Sequence, residues 1–133
     1  MKYLLDTNTC IQFLRRRDSP VKRKLANVDF LSIVLCSVVK AELYFGALRS
    51  SLPKEETAWL NEFFAHFVSL PFDDNAAEVY GRLRAQLTRR GALIGPNDLL
   101  IASIALANDA TLITHNTAEF KRVDDLRLED WQV

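Results

Sequence analysis

What this chain has little of excludes a good deal. Glycine and proline number four each in 133 residues, too few for a flexible linker or a low-complexity tract; they fall singly, as punctuation between elements. The two cysteines, Cys10 and Cys36, lack metal-ligand spacing and suggest no disulfide framework. They read as packed thiols in a reducing cytoplasm. No apolar run is long enough to span a bilayer, and Lys2-Tyr3-Leu4-Leu5 meets Asp6 too soon to serve as a signal peptide. Neither sign of charge is in excess, with 17 Lys and Arg against 17 Asp and Glu, so overall charge does not announce a nucleic-acid binder. No segment repeats.

What is present suits a soluble globular protein. Hydrophobic residues are 49% and charged residues 26% of the chain, and its length allows one domain, residues 1–133, with a real core. Basic residues cluster at Arg15-Arg16-Arg17, Lys22-Arg23-Lys24, Arg82 and Arg84, Arg89-Arg90, and Lys121-Arg122. Such clusters are usually solvated faces; several converging on one site would neutralise phosphates.

Short apolar runs alternate with helical periodicities, the pattern of an α/β fold with a parallel sheet. Strands are expected over 2–6, Phe30–Leu35, Phe67–Leu70 and Ala110–Thr114, with a final edge strand at Leu126–Leu128. A helix is expected from Thr7 to about Arg16, with Thr7-Asn8-Thr9 supplying the cap. Ser19-Pro20 opens a second, serine as cap and proline at the first position. Ser37 is expected to cap the helix carrying Glu42. Pro53 opens another with a stripe of Trp59, Leu60, Phe63 and Phe64. Asp74 or Asn75 caps a helix that Gly91 ends. Pro96 begins the most apolar helix, and a short helical turn is expected at Ala118–Lys121.

Four acids stand at the edges of these apolar segments: Asp6, Glu42, Asp98 and Glu119. Singly, each has an ordinary reading. Asp6 suits a turn or a helix cap, Glu42 a solvated helix face, Asp98 the first turn of a helix, and Glu119 a polar loop. Jointly they fall at the end of strand one, on the helix after strand two, at the helix start before strand four, and in the loop after strand four. All four can converge on one edge of a parallel sheet, where ligands of open α/β folds bind. Carboxylates gathered so closely repel one another; hard oxygen ligands then select Mg²⁺ or Mn²⁺. His66 and His115 could instead be the acid and base of a metal-free ribonuclease, but His66, between Phe64-Ala65 and Phe67-Val68, is expected to pack near the core.

Leu4-Leu5-Asp6-Thr7-Asn8, Ala41-Glu42-Leu43 with Gly46, Gly95-Pro96-Asn97-Asp98-Leu99-Leu100-Ile101-Ala102, Thr114-His115-Asn116-Thr117-Ala118-Glu119-Phe120 and the closing Leu128-Glu129-Asp130-Trp131 together resemble the PIN-domain ribonucleases. More narrowly, they are similar to the VapC toxins of VapBC toxin–antitoxin systems, over essentially the whole chain. The resemblance implies a three-layer α/β/α sandwich around a mainly parallel sheet. It implies an endoribonuclease dependent on Mg²⁺, or Mn²⁺, that cuts structured RNA such as tRNA or rRNA. It implies a homodimer blocked by a VapB-type antitoxin in the cytoplasm. Asp6 and Asp98 match the principal metal-binding aspartates, Glu42 the acid after strand two, Glu119 the variable fourth acid. Together they form the implied catalytic and metal-binding set, with Thr7 and Asn116 as supporting polar residues. His115 departs from the small polar residue, such as asparagine, that the resemblance implies there. Arg15 to Arg17, Arg84 and Arg89 are candidates for the RNA backbone. An apolar groove on the helices around Leu43–Leu52 and Trp59–Phe67 would suit an antitoxin helix, and core packing accounts for the same residues equally well.

Other readings remain. A response-regulator receiver domain would use Asp73 or Asp74 as phospho-acceptor, but no lysine follows a late strand in the right context. A catalytically silent RNA- or protein-binding PIN domain would have no need of all four acids. A haloacid-dehalogenase-type phosphatase would need a second aspartate two residues after Asp6, where Asn8 stands.

Overall fold

The computed structural model describes residues 1–15 and 18–133, and only the backbone of Arg15. Five strands form the sheet: β1 (Lys2–Leu5), β2 (Ile33–Cys36), β3 (Val68–Leu70), β4 (Ala110–Ile113) and β5 (Leu128–Glu129). Every neighbouring pair is parallel, in the order β3-β2-β1-β4-β5. Leu4 pairs with Val34 on one side and Leu112 on the other, so the first strand is central, as expected. The chain travels outward from β1 through β2 to β3, then returns to the far side of β1 as β4. Strand order therefore reverses between β1 and β4, and at such a point a crevice opens beyond the carboxyl ends.

The helices are α1 (Thr7–Arg15), α2 (Pro20–Leu25), α3 (Ser37–Leu48), α4 (Pro53–Phe64), α5 (Asp74–Arg89), α6 (Pro96–Ala107) and α7 (Thr117–Phe120). β2 and β4 are buried at every position, which only a sheet covered on both faces allows. The three-layer α/β/α arrangement follows. Leu4, Leu5, Leu35, Leu112 and Ile113 are wholly buried between the layers. Burying each such side chain contributes about 1.5–3 kcal/mol, so the central strand is the most firmly held part of the fold. Trp131 closes the bottom of the core, 3% exposed, its ring 5.4 Å from that of Tyr3 and its Nε1 donating to Glu129 Oε1 at 3.0 Å.

Several local expectations are corrected. Phe30–Ser32 is a 3-10 turn rather than the start of β2. Asp29 accepts a hydrogen bond from the Leu31 amide at 3.1 Å, which bends the chain and leaves Phe30 and Leu31 exposed. Cys36, not Ser37, is the residue preceding α3, and no side chain caps that helix. Asp73 caps α5, accepting from the Ala76 amide at 3.0 Å, where Asp74 or Asn75 was expected. Its extended backbone points the carboxylate back at the first turn. Asp6 caps α1 in place of Thr7, Asn8 or Thr9. Leu60, Phe63 and Phe64 bury as a stripe, but Trp59 stays about half exposed. His66 is exposed, not packed near the core. The last strand lies one to two residues later than expected. Ser19 does cap α2, accepting from Lys22 N at 3.2 Å with Pro20 at the first position, and Gly91 ends α5 with φ +62°.

Asp73→Ala leaves the first turn of α5 without its side-chain acceptor and should lower stability by ~1 kcal/mol. The change is expected in chemical denaturation, with the acidic cleft of the next section unaltered in its cation binding.

Candidate active site

Asp6 is positioned where β1 meets β4 and α1 begins. Its amide donates to Ile113 O at 3.1 Å, continuing the β1–β4 ladder, and its carbonyl accepts from Cys10 N as α1 begins. Its Oδ1 accepts from Thr9 N at 2.9 Å, and Thr9 Oγ1 donates to Ile113 O at 3.1 Å. The capping reading and the site reading of Asp6 therefore hold together: one oxygen fixes the side chain, and the residue still lines the cleft. Glu42 reaches the same place from the second turn of α3, where Thr7 Oγ1 donates to its Oε1 at 2.8 Å. Asp98 lies in the first turn of α6, whose N-cap is Gly95. Glu119 stands on α7. Its Oε1 accepts from the Gly95 amide at 2.7 Å, and its Oε2 from Asn116 Nδ2 at 2.7 Å.

A cleft of about 120 Å³ is lined by Asp6, Thr7, Asn8, Glu42, Asp98 and Asn116, with Ile101 and Phe120 as its apolar floor. A larger hollow of about 290 Å³ lies by Arg82, Leu83 and Gln86. It has only Asp124 and Asp125 as acids and an arginine among them, so it lacks the charge imbalance that calls for a cation. The Gly95 position is informative: a Cβ there would sit 3.6 Å from both Asp98 Oδ2 and Glu119 Oε1. Absence of a side chain keeps open a point equidistant from two carboxylate oxygens. This backbone contribution could not be foreseen, because a sequence does not say which amide meets which acid. Asn8 was also missed as a lining residue, although it belongs to the Asp6-Thr7-Asn8 run.

Electrostatics record the crowding. Asp98 is pushed from 3.8 up to about 6, first by burial and then by the charges of Glu119, Glu42 and Asp6. Glu119 moves the other way, held below its usual range chiefly by the Gly95 amide, with Asn116 and Arg122 helping. Within this pair the proton rests on Asp98. Among the described residues, no ion pair neutralises any of the four acids; the pairs present join Arg23 to Asp18, Arg90 to Asp124, His115 to Asp130 and Arg127 to Asp109.

An oxygen-only donor set with surplus negative charge and an open cradle fits a hard divalent cation. Among the described residues no three acids stand close enough to grip one ion unaided. Mg²⁺ accepts that arrangement, because it keeps several waters and takes only one or two carboxylates directly.

The other described candidates do not line this cleft. His115 is exposed and bonds through Nδ1 to Asp130 Oδ2 at 2.8 Å. Of the two receiver-type acceptors, Asp73 is committed to the α5 cap and Asp74 is exposed on the first turn of the same helix. Arg84 donates to Tyr80 OH at 2.8 Å. Arg16, Arg17 and the side chain of Arg15 lie outside the described residues. Cys10 and Cys36 are buried and unpaired; burial raises both thiols, that of Cys10 well above its usual value, and keeps them unreactive.

A family model described as PIN domain matches residues 3–126. Ribonuclease VapC2 of Rickettsia felis is 37% identical over 135 residues, covering 98% of each chain. The tRNA(fMet)-specific endonuclease VapC of Shigella flexneri is 36% identical over 131 residues, again covering 98% of each. Two solved structures are similar throughout. VapBC from Salmonella typhimurium, bound to DNA, has TM-score 0.91 at 33% identity and 98% coverage of both chains. VapBC2 from R. felis, bound to a fragment of its promoter, has TM-score 0.88 at 36% identity, covering 98% of this chain and 99% of that one.

Because Asp98 holds its proton more tightly folded than unfolded, the folded protein binds more protons between the free value of 3.8 and about 6. The stabilising contribution of that proton is complete below the lower value and lost as pH rises through the upper one. Asp98→Asn should therefore stabilise the cation-free protein near neutral pH by on the order of 1 kcal/mol, and much less in acid. Thermal unfolding across this range checks it; a variant no more stable than the parent at neutral pH would contradict the crowding.

Proposed function

The chain belongs to the PIN-domain family, and from that premise we propose that it is a VapC-type endoribonuclease, the toxin of a toxin–antitoxin pair. It acts as a single PIN domain over residues 1–133, in the cytoplasm, on structured RNA such as tRNA or rRNA. The observation that carries this reading is the gathering of Asp6, Glu42 and Asp98 in one cleft at the β1/β4 switch point, with Glu119 beside Asp98 and, among the described residues, no ion pair to any of the four. Curated relatives over the whole length are named as ribonucleases or as a tRNA(fMet)-specific endonuclease, which supports RNA as the substrate.

Asp6 and Asp98 would hold Mg²⁺, or Mn²⁺, with Glu42 and Glu119 completing the set through water or at a second position. Once bound, the ion supplies Lewis-acid neutralisation of the phosphodiester charge and activates the hydrolytic water. The chain's own residues do the rest. The Thr9 amide fixes the Asp6 carboxylate, Thr7 aims Glu42, and Asn116 with Gly95 aims Glu119. Their donors are neutral, so they orient the acids without spending the negative charge that attracts a cation. Asp98 must release its proton on cation binding, so affinity rises as pH passes through about 6. Ile101 and Phe120 line the dry side of the cleft, which strengthens charge interactions there.

The partners fit the surface. Phe45, Leu48, Leu52 and Trp59 are each about half or more exposed, and Phe13, Leu14, Trp59 and Phe63, rimmed by Lys22, Glu62 and His66, line a groove of about 270 Å³. A groove with an apolar base and a polar rim suits an amphipathic helix, here that of a VapB-type antitoxin, on a toxin that forms a homodimer. Relatives solved as VapBC complexes support the assignment.

Asp6→Ala, or chelation of divalent ions, should reduce cleavage of bulk tRNA and rRNA by at least about a thousandfold while the fold persists in circular dichroism. Full activity of Asp6→Ala in a contaminant-free preparation would remove the metal mechanism. A catalytically silent module would show no cleavage by the parent protein and no Mn²⁺ binding on titration. For the partner, Trp59→Ala should weaken capture of a co-expressed product of the adjacent upstream reading frame by about tenfold or more; undiminished capture would place the antitoxin elsewhere.

A further inference from the structure

Glu119 rides on the four-residue helix α7, too short to hold a charged side chain by its own hydrogen bonding. Its carboxylate is held on one oxygen by Asn116 Nδ2 and on the other by the loop over 91–95, through the Gly95 amide, each at 2.7 Å. That loop has an anchor of its own. Arg122 Nη1 donates to Leu93 O at 3.2 Å. Glu119 and Arg122 are three residues apart on one turn, the Arg122 amide donating to Glu119 O at 3.1 Å, and such residues share a face. They therefore grip the loop at two points, one at an amide and the other at a carbonyl two residues earlier. Arg90, at the C-cap of α5, holds the turn from behind: its Nη2 donates to Arg122 O at 2.6 Å and its Nη1 to Asp124 Oδ2 at 3.3 Å.

We propose that Arg122 is a positioning residue of the nuclease site, fixing the 91–95 loop through Leu93 O so that the Gly95 amide holds Glu119 against Asp98. The proposal rests on the metal-dependent reading of the cleft. The Ala92 amide, donating to Leu87 O at 2.9 Å, and buried Ile94 hold the body of the loop; the Arg122 clamp on Leu93 O sets how the Gly95 amide meets Glu119, and opening it costs that amide its register. Glu119 then keeps only Asn116, and the spacing between Glu119 Oε1 and Asp98 Oδ2 is no longer set. An arginine near a nuclease cleft has an obvious rival role, that of gripping the RNA backbone. The two differ in what they predict without RNA. A clamp changes cation affinity in the free protein, whereas a phosphate contact changes only KM.

The test is Mn²⁺ titration of the RNA-free protein by calorimetry. It compares the parent, Arg122→Ala, Arg122→Lys, Glu119→Gln and the double variant Arg122→Ala/Glu119→Gln, with kcat and KM for tRNA measured in parallel. Arg122→Ala should weaken Mn²⁺ binding roughly tenfold and lower kcat, with KM changed by less than about twofold. Arg122→Lys should recover part of the affinity by reaching Leu93 O with its single ammonium group. On the Glu119→Gln background, Arg122→Ala should add less than about a further twofold, because the two act in series. Unchanged Mn²⁺ affinity, a raised KM alone, or full additivity with Glu119→Gln would each overturn the proposal. Should Arg122→Ala fail to fold in a thermal melt, Arg90→Ala, which loosens the same turn, takes its place with the same expectations. If the parent protein binds no Mn²⁺, the metal reading falls and the clamp with it; if the parent binds Mn²⁺ and Arg122 proves silent, only the clamp falls.

Discussion

Mutual repulsion of carboxylates is the constraint around which this molecule is arranged. Two unit charges about 4 Å apart in a partly buried setting repel by ~4 kcal/mol, against a whole-domain stability of about 5–15 kcal/mol. A fold that gathers four acids can do so only if it relieves most of that repulsion. Two means of relief are open to it. One is a proton on Asp98, whose pKa burial first and then its acidic neighbours raise to about 6. The other would be a divalent cation, which an all-oxygen, charge-rich cleft attracts. A third, a direct ion pair with arginine or lysine, is not made by these four acids among the described residues, although the chain has as many basic as acidic side chains. Arg122 eases Glu119 by its charge without pairing with it, and Arg90, Arg122 and Arg127 also brace backbone carbonyls.

Neutral donors explain how the acids stay oriented without being quenched. An amide or hydroxyl fixes a carboxylate oxygen and leaves its formal charge intact, whereas a guanidinium would cancel it. Thr9, Thr7, Gly95 and Asn116 each play this part. Three of these four donors come from α1 or from the α7 segment, the elements on either side of the β1/β4 crevice. The topology and the electrostatics are therefore one design. Reversal of strand order opens the crevice, and the segments that leave its two walls supply the groups that aim the acids.

How much of this the chain itself disclosed follows from the range of the interactions. The strands, the central place of β1, the parallel sheet and the approach of Asp6, Glu42 and Asp98 to one cleft were legible, because runs such as Leu4-Leu5-Asp6 and Leu99-Leu100-Ile101-Ala102 carry strand and helix signals within a few residues. Caps were read less well. Ser19-Pro20 announced itself, but Asp6 and Asp73 displaced their neighbours, since the cap goes to whichever residue has the extended backbone, and φ and ψ at adjacent polar residues are not written in their identities. Phe30 and Leu31 were misread as strand because an apolar pair scores the same on an exposed turn as in a core. The contacts of Glu119 with Gly95 and of Arg122 with Leu93 each run through a backbone atom common to every residue, the Gly95 N–H and the Leu93 C=O, so no residue pattern could have pointed to either pairing.

The cleft has one fixed wall and one adjustable wall, and the difference bears on how a cation would be chosen. Asp6 is 7% exposed and tied to β1, β4 and α1 at once. It cannot move without disturbing Leu4, Leu5 and Ile113, which are wholly buried. Glu119 sits on a single helical turn, and its position depends on a loop pinned by side chains rather than by a ladder. Local opening of such a loop requires far less free energy than opening the central strand. Mg²⁺ demands near-ideal octahedral geometry at short range, while larger ions tolerate irregular shells. A site with every ligand held as rigidly as Asp6 would have to be built to final geometry in advance. A cation bound there would meet one wall fixed by Asp6 and another, Glu119 on α7, whose place depends on the hold of the Gly95 amide.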